Sequence, residues 1–197
     1  MKITCIEKAK GGKYRIWLND SPAFLLYPSE MRALKVVEGE ELGEDQERRI
    51  RDEILPKRAV SRCMHILGRQ DKTEKQIIDK LRGEEYPEET AIQAAERMKE
   101  LRFLDDLRYC SMYIEGRKLT KSAGEMTRDL LAKGVSEDVI RQALEEADMP
   151  GNGELIRRWA EKKRFDAETA SEDEKRKFFQ FLMRKGFNYG DIKRALT

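Results

Sequence analysis

Two adjacent carboxylates, one histidine and three cysteines are the residues of this 197-residue chain whose types best suit catalysis. Paired carboxylates can divide acid and base duties. Asp105-Asp106, however, stands directly before an apolar run that begins at Leu107. There a carboxylate has a simpler use, which is to accept the free N–H groups of a helix's first turn. Glu145-Glu146 reads as a solvated helix face. His65 has no second histidine to work with, and Cys5, Cys63 and Cys110 lie far apart, each beside apolar residues. That spacing predicts buried free thiols rather than a metal centre or a disulfide framework. No phosphate loop of the form GxxxxGK[ST] occurs, and Gly11-Gly12-Lys13 reads as a hairpin turn. We therefore expect no cofactor, no metal and no catalytic residue, and a chain that is not an enzyme.

The residues that remain are basic clusters. Arg117, Lys118 and Lys121 fall near one helix end, with Arg128 about a turn beyond and Lys133 near the next C-terminus. Lys162-Lys163-Arg164 and Arg184-Lys185 mark the last part of the chain. Facing one groove, such side chains contact phosphates by counterion release and positioning, or pair with acidic patches on a protein. Lys133 and Arg184-Lys185 also suit the negative end of a helix dipole. Trp17 and Trp159 are expected as core anchors rather than base-stacking platforms.

Charged residues make up 40% of the chain and apolar residues 39%, yet the net charge is only +2. High charge with near-neutrality does not mark a nucleic-acid binder by bulk charge and describes a folded chain with much solvated surface. The balance is uneven, at −3 over residues 105–153 and +4 over 154–197. No apolar run approaches the roughly 18 residues of a membrane span. The first residues lack the apolar core of a secretory signal, so the expected location is the cytoplasm.

The elements that must position these clusters are legible in outline. Residues 3–6, 14–18 and 23–27 are β-favouring runs separated by turns, and Ser29 is placed to cap a short helix. From Glu44 the apolar spacing is helical. Ile50, Ile54 and Leu55 predict a helix stopped near Pro56. Ile92, Ala95, Met98 and Leu101 predict a core-facing stripe, and a helix is expected from Leu107 to about Thr120. Residues 130–144 and 182–196 align without gaps, 52 residues apart, as helix, Lys-Gly stop, apolar residue, polar cap and helix. Residues 81–92 form a weaker copy, with Glu85 at the glycine place and one residue inserted. The expectation is a mostly α chain of tandem three-helix repeats stacked into an elongated curved body, with a small β-rich N-terminal segment. The segments are residues 1–42, a connecting helix at 43–57, and repeats at 58–104, 105–150 and 151–197.

The order Phe103-Leu104-Asp105-Asp106-Leu107-Arg108-Tyr109, then Arg117, Lys121-Ser122-Ala123-Gly124 and Leu130-Leu131-Ala132-Lys133-Gly134-Val135, resembles the central motif of the RecX family. Lys162-Lys163 and Phe181-Leu182-Met183-Arg184-Lys185-Gly186-Phe187 resemble its C-terminal motif. The resemblance covers residues 58–197, and the N-terminal segment is similar to an extension of longer members. It departs at Gly116, inside an expected helix, and at Glu85. The resemblance implies a monomeric, non-enzymatic regulator of the RecA recombinase. Such a protein binds the RecA filament on single-stranded DNA, typically inhibits its ATP hydrolysis and strand exchange, and can bind single-stranded or duplex DNA directly. Arg108 joins the basic clusters as a contact candidate on that ground. A sequence-independent DNA-binding module, or an α-helical scaffold with a partner other than RecA, stands as the alternative.

Overall fold

Three strands, β1 (Ile3–Lys8), β2 (Tyr14–Leu18) and β3 (Ser21–Leu26), form an antiparallel meander in that order in the computed structural model, which describes residues 1–197. Asn19 and Asp20 both adopt positive φ, as a two-residue hairpin turn requires. Ser21 and Pro22, expected in that turn, belong to β3 instead. Proline is tolerated there because β3 is an edge strand and its register slips beside Trp17. A second register shift lies between Ile3 and Cys5. It reverses the inward alternation, so Ile3 and partly Ile6 face the core while Cys5 is exposed. The expectation of a buried thiol fails at Cys5 for that reason; Cys63 and Cys110 are buried.

Helix α1 (Pro28–Leu34) is capped by Tyr27 rather than Ser29. Pro28 occupies the first turn, where no N–H is needed, and Glu30 Oε2 accepts from the Tyr27 N–H at 2.7 Å. The helix expected to stop at Pro56 runs on. Helix α2 (Glu44–Arg49) continues through a π-turn at Ile50–Ile54 into α3 (Leu55–Leu67). Proline lacks an N–H and its ring presses on the carbonyl four residues back. The wider turn, closed by the Leu55 N–H on the Ile50 carbonyl, accommodates it. This continuity has a consequence for packing: Ile50 and Leu55 complete the core of Ile3, Ile16, Phe24 and Leu26, fastening the sheet to the helical part.

Three-helix units follow in tandem. The first is α3 with α4 (Glu74–Gly83) and α5 (Glu88–Glu100). The second is α6 (Asp106–Glu115), α7 (Ala123–Ala132) and α8 (Glu137–Glu146). The third is α9 (Asn152–Lys163), α10 (Glu172–Arg184) and α11 (Tyr189–Leu196). In each unit the third helix packs on the first two around its own core, represented by Ile77 and Met98, Ile114 and Leu130, and Leu182 and Ile192. The chain divides into two compact units, Met1–Asp105 and Asp106–Thr197.

The repeat is written in the helix stops. Residues Glu85, Gly134 and Gly186 all have left-handed φ, at 63°, 83° and 87°. In each, the following N–H (Tyr86, Val135, Phe187) bonds back to the carbonyl of Leu81, Leu130 or Leu182, the Schellman arrangement. Glu85 therefore fills the glycine role despite its side chain, which Arg15 grips at 2.8 Å through two bonds. The residue expected as an insertion does not exist: Ala91 is the buried counterpart of Ile140, while Ile92 and Leu101 are exposed at 39% and 38%. The α6 helix ends at Glu115, not near Thr120. Gly116 opens a tight turn in which the Lys118 N–H bonds the Ile114 carbonyl at 2.7 Å, so the departure at Gly116 marks a helix end.

Candidate functional site

The clusters on the second and third repeats fall into three arrangements. In the first, Tyr113 of α6 is the hub. Its hydroxyl donates to Asp129 Oδ2 of α7 at 2.6 Å, and Lys121 donates to the same carboxylate. The Arg117 guanidinium lies over the Tyr113 ring, 4.1 Å from its centroid, and makes no ion pair. Lys118 pairs with Glu115 at 2.8 Å. Of this sequence cluster, Arg117 is thus left without a carboxylate, while Lys121 is occupied by Asp129 of α7.

Lys121 and then Tyr113, by hydrogen bonding, hold the Asp129 carboxyl below its usual pKa. Hydrogen bonding to Asp129 raises Lys121. Burial, followed by Asp129, raises Tyr113. A carboxyl lowered on folding binds its proton less tightly in the folded than in the unfolded chain. The stability it contributes is complete above the ordinary aspartate value of about 4, and is lost as pH falls through the lowered one. Wild type should accordingly have a higher urea midpoint than Asp129→Asn near pH 6, and the gap should close by about pH 2. An undiminished gap in acid would contradict the arrangement.

The second arrangement joins repeats 2 and 3. Ser122 caps α7 by accepting from the Glu125 N–H at 3.1 Å, and its hydroxyl donates to the Lys185 carbonyl at 2.7 Å. Arg128 donates to the Arg184 carbonyl at 3.2 Å. Lys185 Nζ reaches Glu125 at 3.1 Å and lies 5.3 Å from the Trp159 ring centroid. The carbonyl end of α10 therefore sits on the N-terminus of α7, and the Ser122 and Arg128 side chains satisfy its last carbonyls. Arg128 and Lys185, candidates for partner contact from sequence, are spent largely on this joint; Arg184 is exposed. Ser122, Asp129 and Glu125 are the residues that spacing did not single out, and Tyr113 was legible only as part of the apolar face of its helix. Ser122 and Gly124 were visible only as motif letters.

The third arrangement is on repeat 3. Lys162 lies 5.0 Å from the Trp159 ring centroid and Lys163 5.3 Å from that of Phe181. Neither pairs with a carboxylate. Trp159 itself packs edge-on to Phe181 at 5.2 Å and is half-buried, so it is both an anchor and a platform for cations. Arg164 closes α9 with left-handed φ and is exposed. Arg108 is exposed on α6, and Lys133 lies at the C-cap of α7. Burial pushes the Cys63 and Cys110 thiols up to about 11, so neither is a nucleophile near neutrality. No group of three or more His, Cys, Asp or Glu is placed to hold a metal. No helix is long and apolar enough to cross a membrane.

Tandem three-helix units with exposed cations on aromatic faces place the chain among helical-repeat proteins. Known proteins make the assignment specific. Family models described as the first, second and third three-helix domains of RecX match residues 59–98, 105–144 and 153–196. The regulatory protein RecX of Clostridium perfringens strain SM101 is 30% identical over 100% of this chain and 96% of its own length. That of Clostridium botulinum strain Eklund 17B is 30% identical over 98% and 93%. A crystal structure of a regulatory protein RecX superposes with a TM-score of 0.64 at 28% identity, over 98% of both chains. The RecX structure from Lactobacillus salivarius shares the fold at a TM-score of 0.60 and 22% identity, covering 72% of this chain and 94% of that one. The chain belongs to the RecX family of regulatory proteins.

Proposed function

We propose that this protein is a non-enzymatic, cytoplasmic regulator that binds the RecA filament on single-stranded DNA as a monomer and inhibits its ATP hydrolysis and strand exchange. Membership of the RecX family supports the partner. The observation that carries the reading at residue level is the set of cations held over aromatic rings instead of carboxylates: Arg117 on Tyr113, Lys162 on Trp159 and Lys163 on Phe181. A cation over a ring keeps its full charge, and the ring holds it in place. It can then meet a phosphate, or an acidic side chain of the filament, with little further ordering cost. The repeats at 58–104, 105–150 and 151–197 act as successive contact modules, so weak contacts add.

The test is RecA's ATP hydrolysis on single-stranded DNA with the full-length protein added. Hydrolysis should fall at stoichiometric or lower amounts. The variant Lys162→Ala/Lys163→Ala/Arg164→Ala removes three exposed cations. At about 0.5–1 kcal/mol each, it should require roughly ten- to 150-fold more protein for the same effect, with its melting temperature unchanged. No effect on hydrolysis in either direction, and no co-sedimentation with the filament, would sink the proposal. Salt-sensitive binding to bare DNA that is indifferent to RecA would favour a DNA-binding module acting alone.

A further inference from the structure

The N-terminal half holds a cleft of about 590 Å³ that the proposed function does not use. Its size is that of a small-molecule site. Four pieces of chain build it, one of them the end of β3 with Leu25 and Tyr27. The β1–β2 turn, in which Gly11 and Gly12 take φ of 70° and 72°, brings up Lys13. One stripe of α3 contributes Arg58, Ser61, Arg62 and His65, spaced as neighbours on a single helix face. The Schellman stop between α4 and α5 adds Tyr86.

The charges in this cleft do not balance locally. Arg58 pairs with Glu30 at 2.9 Å, Arg62 with Glu84 at 2.6 Å, and Glu85 is taken by Arg15 at 2.8 Å. Each carboxylate is thus claimed by an arginine. Lys13 forms no ion pair. Its ammonium lies 5.6 Å from the Tyr27 ring centroid and 5.5 Å from that of Tyr86, the same two rings that Arg58 covers at 5.2 and 5.4 Å. Two cations share one aromatic pair, and only one of them has a carboxylate. Burial first, and then the Arg58 charge, hold the Lys13 ammonium below its usual pKa, with Glu84 and Glu30 offsetting part of this. An anion beside Lys13 would remove that strain. Ser61 and His65, both exposed on the same stripe of α3, bring further donors to the cleft.

We infer that this cleft binds a phosphate group, with Lys13 as the charge partner and Ser61 and His65 as hydrogen-bond donors. A compact anion with several acceptor oxygens suits a site that offers the Lys13 ammonium, a hydroxyl and an imidazole beside two already paired arginines, with Lys10 also on its lining. The inference stands apart from RecA binding: it rests on the cleft alone, and its test contains no RecA.

The experiment is calorimetric titration of the full-length protein with three probes: inorganic phosphate, pyrophosphate, and a thymidine oligonucleotide lacking terminal phosphates. Saturable binding of at least one probe is expected, weakened at least tenfold in Lys13→Gln and retained in Lys13→Arg. Unchanged urea midpoints of the two variants would establish that both are folded. Lys13-dependent binding of phosphate or pyrophosphate alone would assign a small phosphate compound as the occupant. Lys13-dependent binding of the oligonucleotide would assign a nucleic-acid backbone. If no probe binds saturably, or if Lys13→Gln binds as wild type does, the inference is overturned.

Discussion

Replacing Gly186 by alanine is expected to destabilise the third repeat by about 3 kcal/mol. Two effects combine. At a φ of 87° an L side chain is strained, at roughly 1–2 kcal/mol. The added methyl would also stand 2.7 Å from Ser122 Oγ and 3.0 Å from the Glu125 backbone nitrogen. The hydroxyl could turn away only by giving up its bond to the Lys185 carbonyl, and the backbone nitrogen has no such freedom. The strain would therefore be relieved by lifting the end of α10 off the start of α7. Because tandem units depend on their neighbours, protection from hydrogen exchange should be lost first over residues 172–197. Gly39→Ala is the control: its φ is also 87°, but nothing lies within 4 Å of the added methyl, so only the backbone strain of roughly 1–2 kcal/mol is expected. Equal losses for the two variants, measured as urea midpoints, would show that the joint is not closely packed.

Arg58→Ala should loosen the N-terminal sheet from the first repeat, at a cost of about 3 kcal/mol. Arg58 donates to the Leu25 carbonyl at 2.7 Å and to Glu30 at 2.9 Å. It also covers the rings of Tyr27 and Tyr86. Its side chain is 15% exposed and that of Glu30 20%, so little water is at hand to replace the lost partner. Two features keep the figure below the upper limit for a buried pair. Glu30 retains the Tyr27 N–H, and Arg58 Nε is itself buried without a hydrogen-bond partner, so the wild-type guanidinium is not fully compensated. Arg58→Met, which keeps most of the apolar packing, should lose less than Arg58→Ala. If Arg58→Ala unfolds at the wild-type midpoint, the sheet is held by its apolar core alone.

Element type and the repeat were legible because both are local. A hairpin needs residues that accept positive φ, and Asn19-Asp20 supply them. A helix end needs a left-handed residue, and Gly134 and Gly186 announce theirs. Caps such as Thr73 and Ser171 act within three residues, through Gln76 and Glu174. The errors also have local causes. Ile92 is apolar but lies on the exposed side of its helix, because the stop at Glu85 sets the phase and the sequence hides that stop behind a charged residue. Pro56 breaks the usual bonding pattern without breaking the helix, since a π-turn is a response of the surrounding chain rather than a property of proline.

The sequence by itself determined the tandem helical units, the glycine stops at Gly134 and Gly186, the family, and the absence of recognisable catalytic spacing. These depend on φ preference, hydrogen-bond supply and apolar period, all set within a turn or two of chain. Only the tertiary structure decided which cations are available. Lys121 and Lys185 look in sequence like Lys162 and Lys163, yet Lys121 meets Asp129 farther along α7, Lys185 meets Glu125 across the joint of α10 and α7, and the others lie on Trp159 and Phe181. Charge is written in the sequence, but neutralisation depends on which carboxylate comes within about 4 Å. For the joint at Lys185 that partner lies 60 residues away.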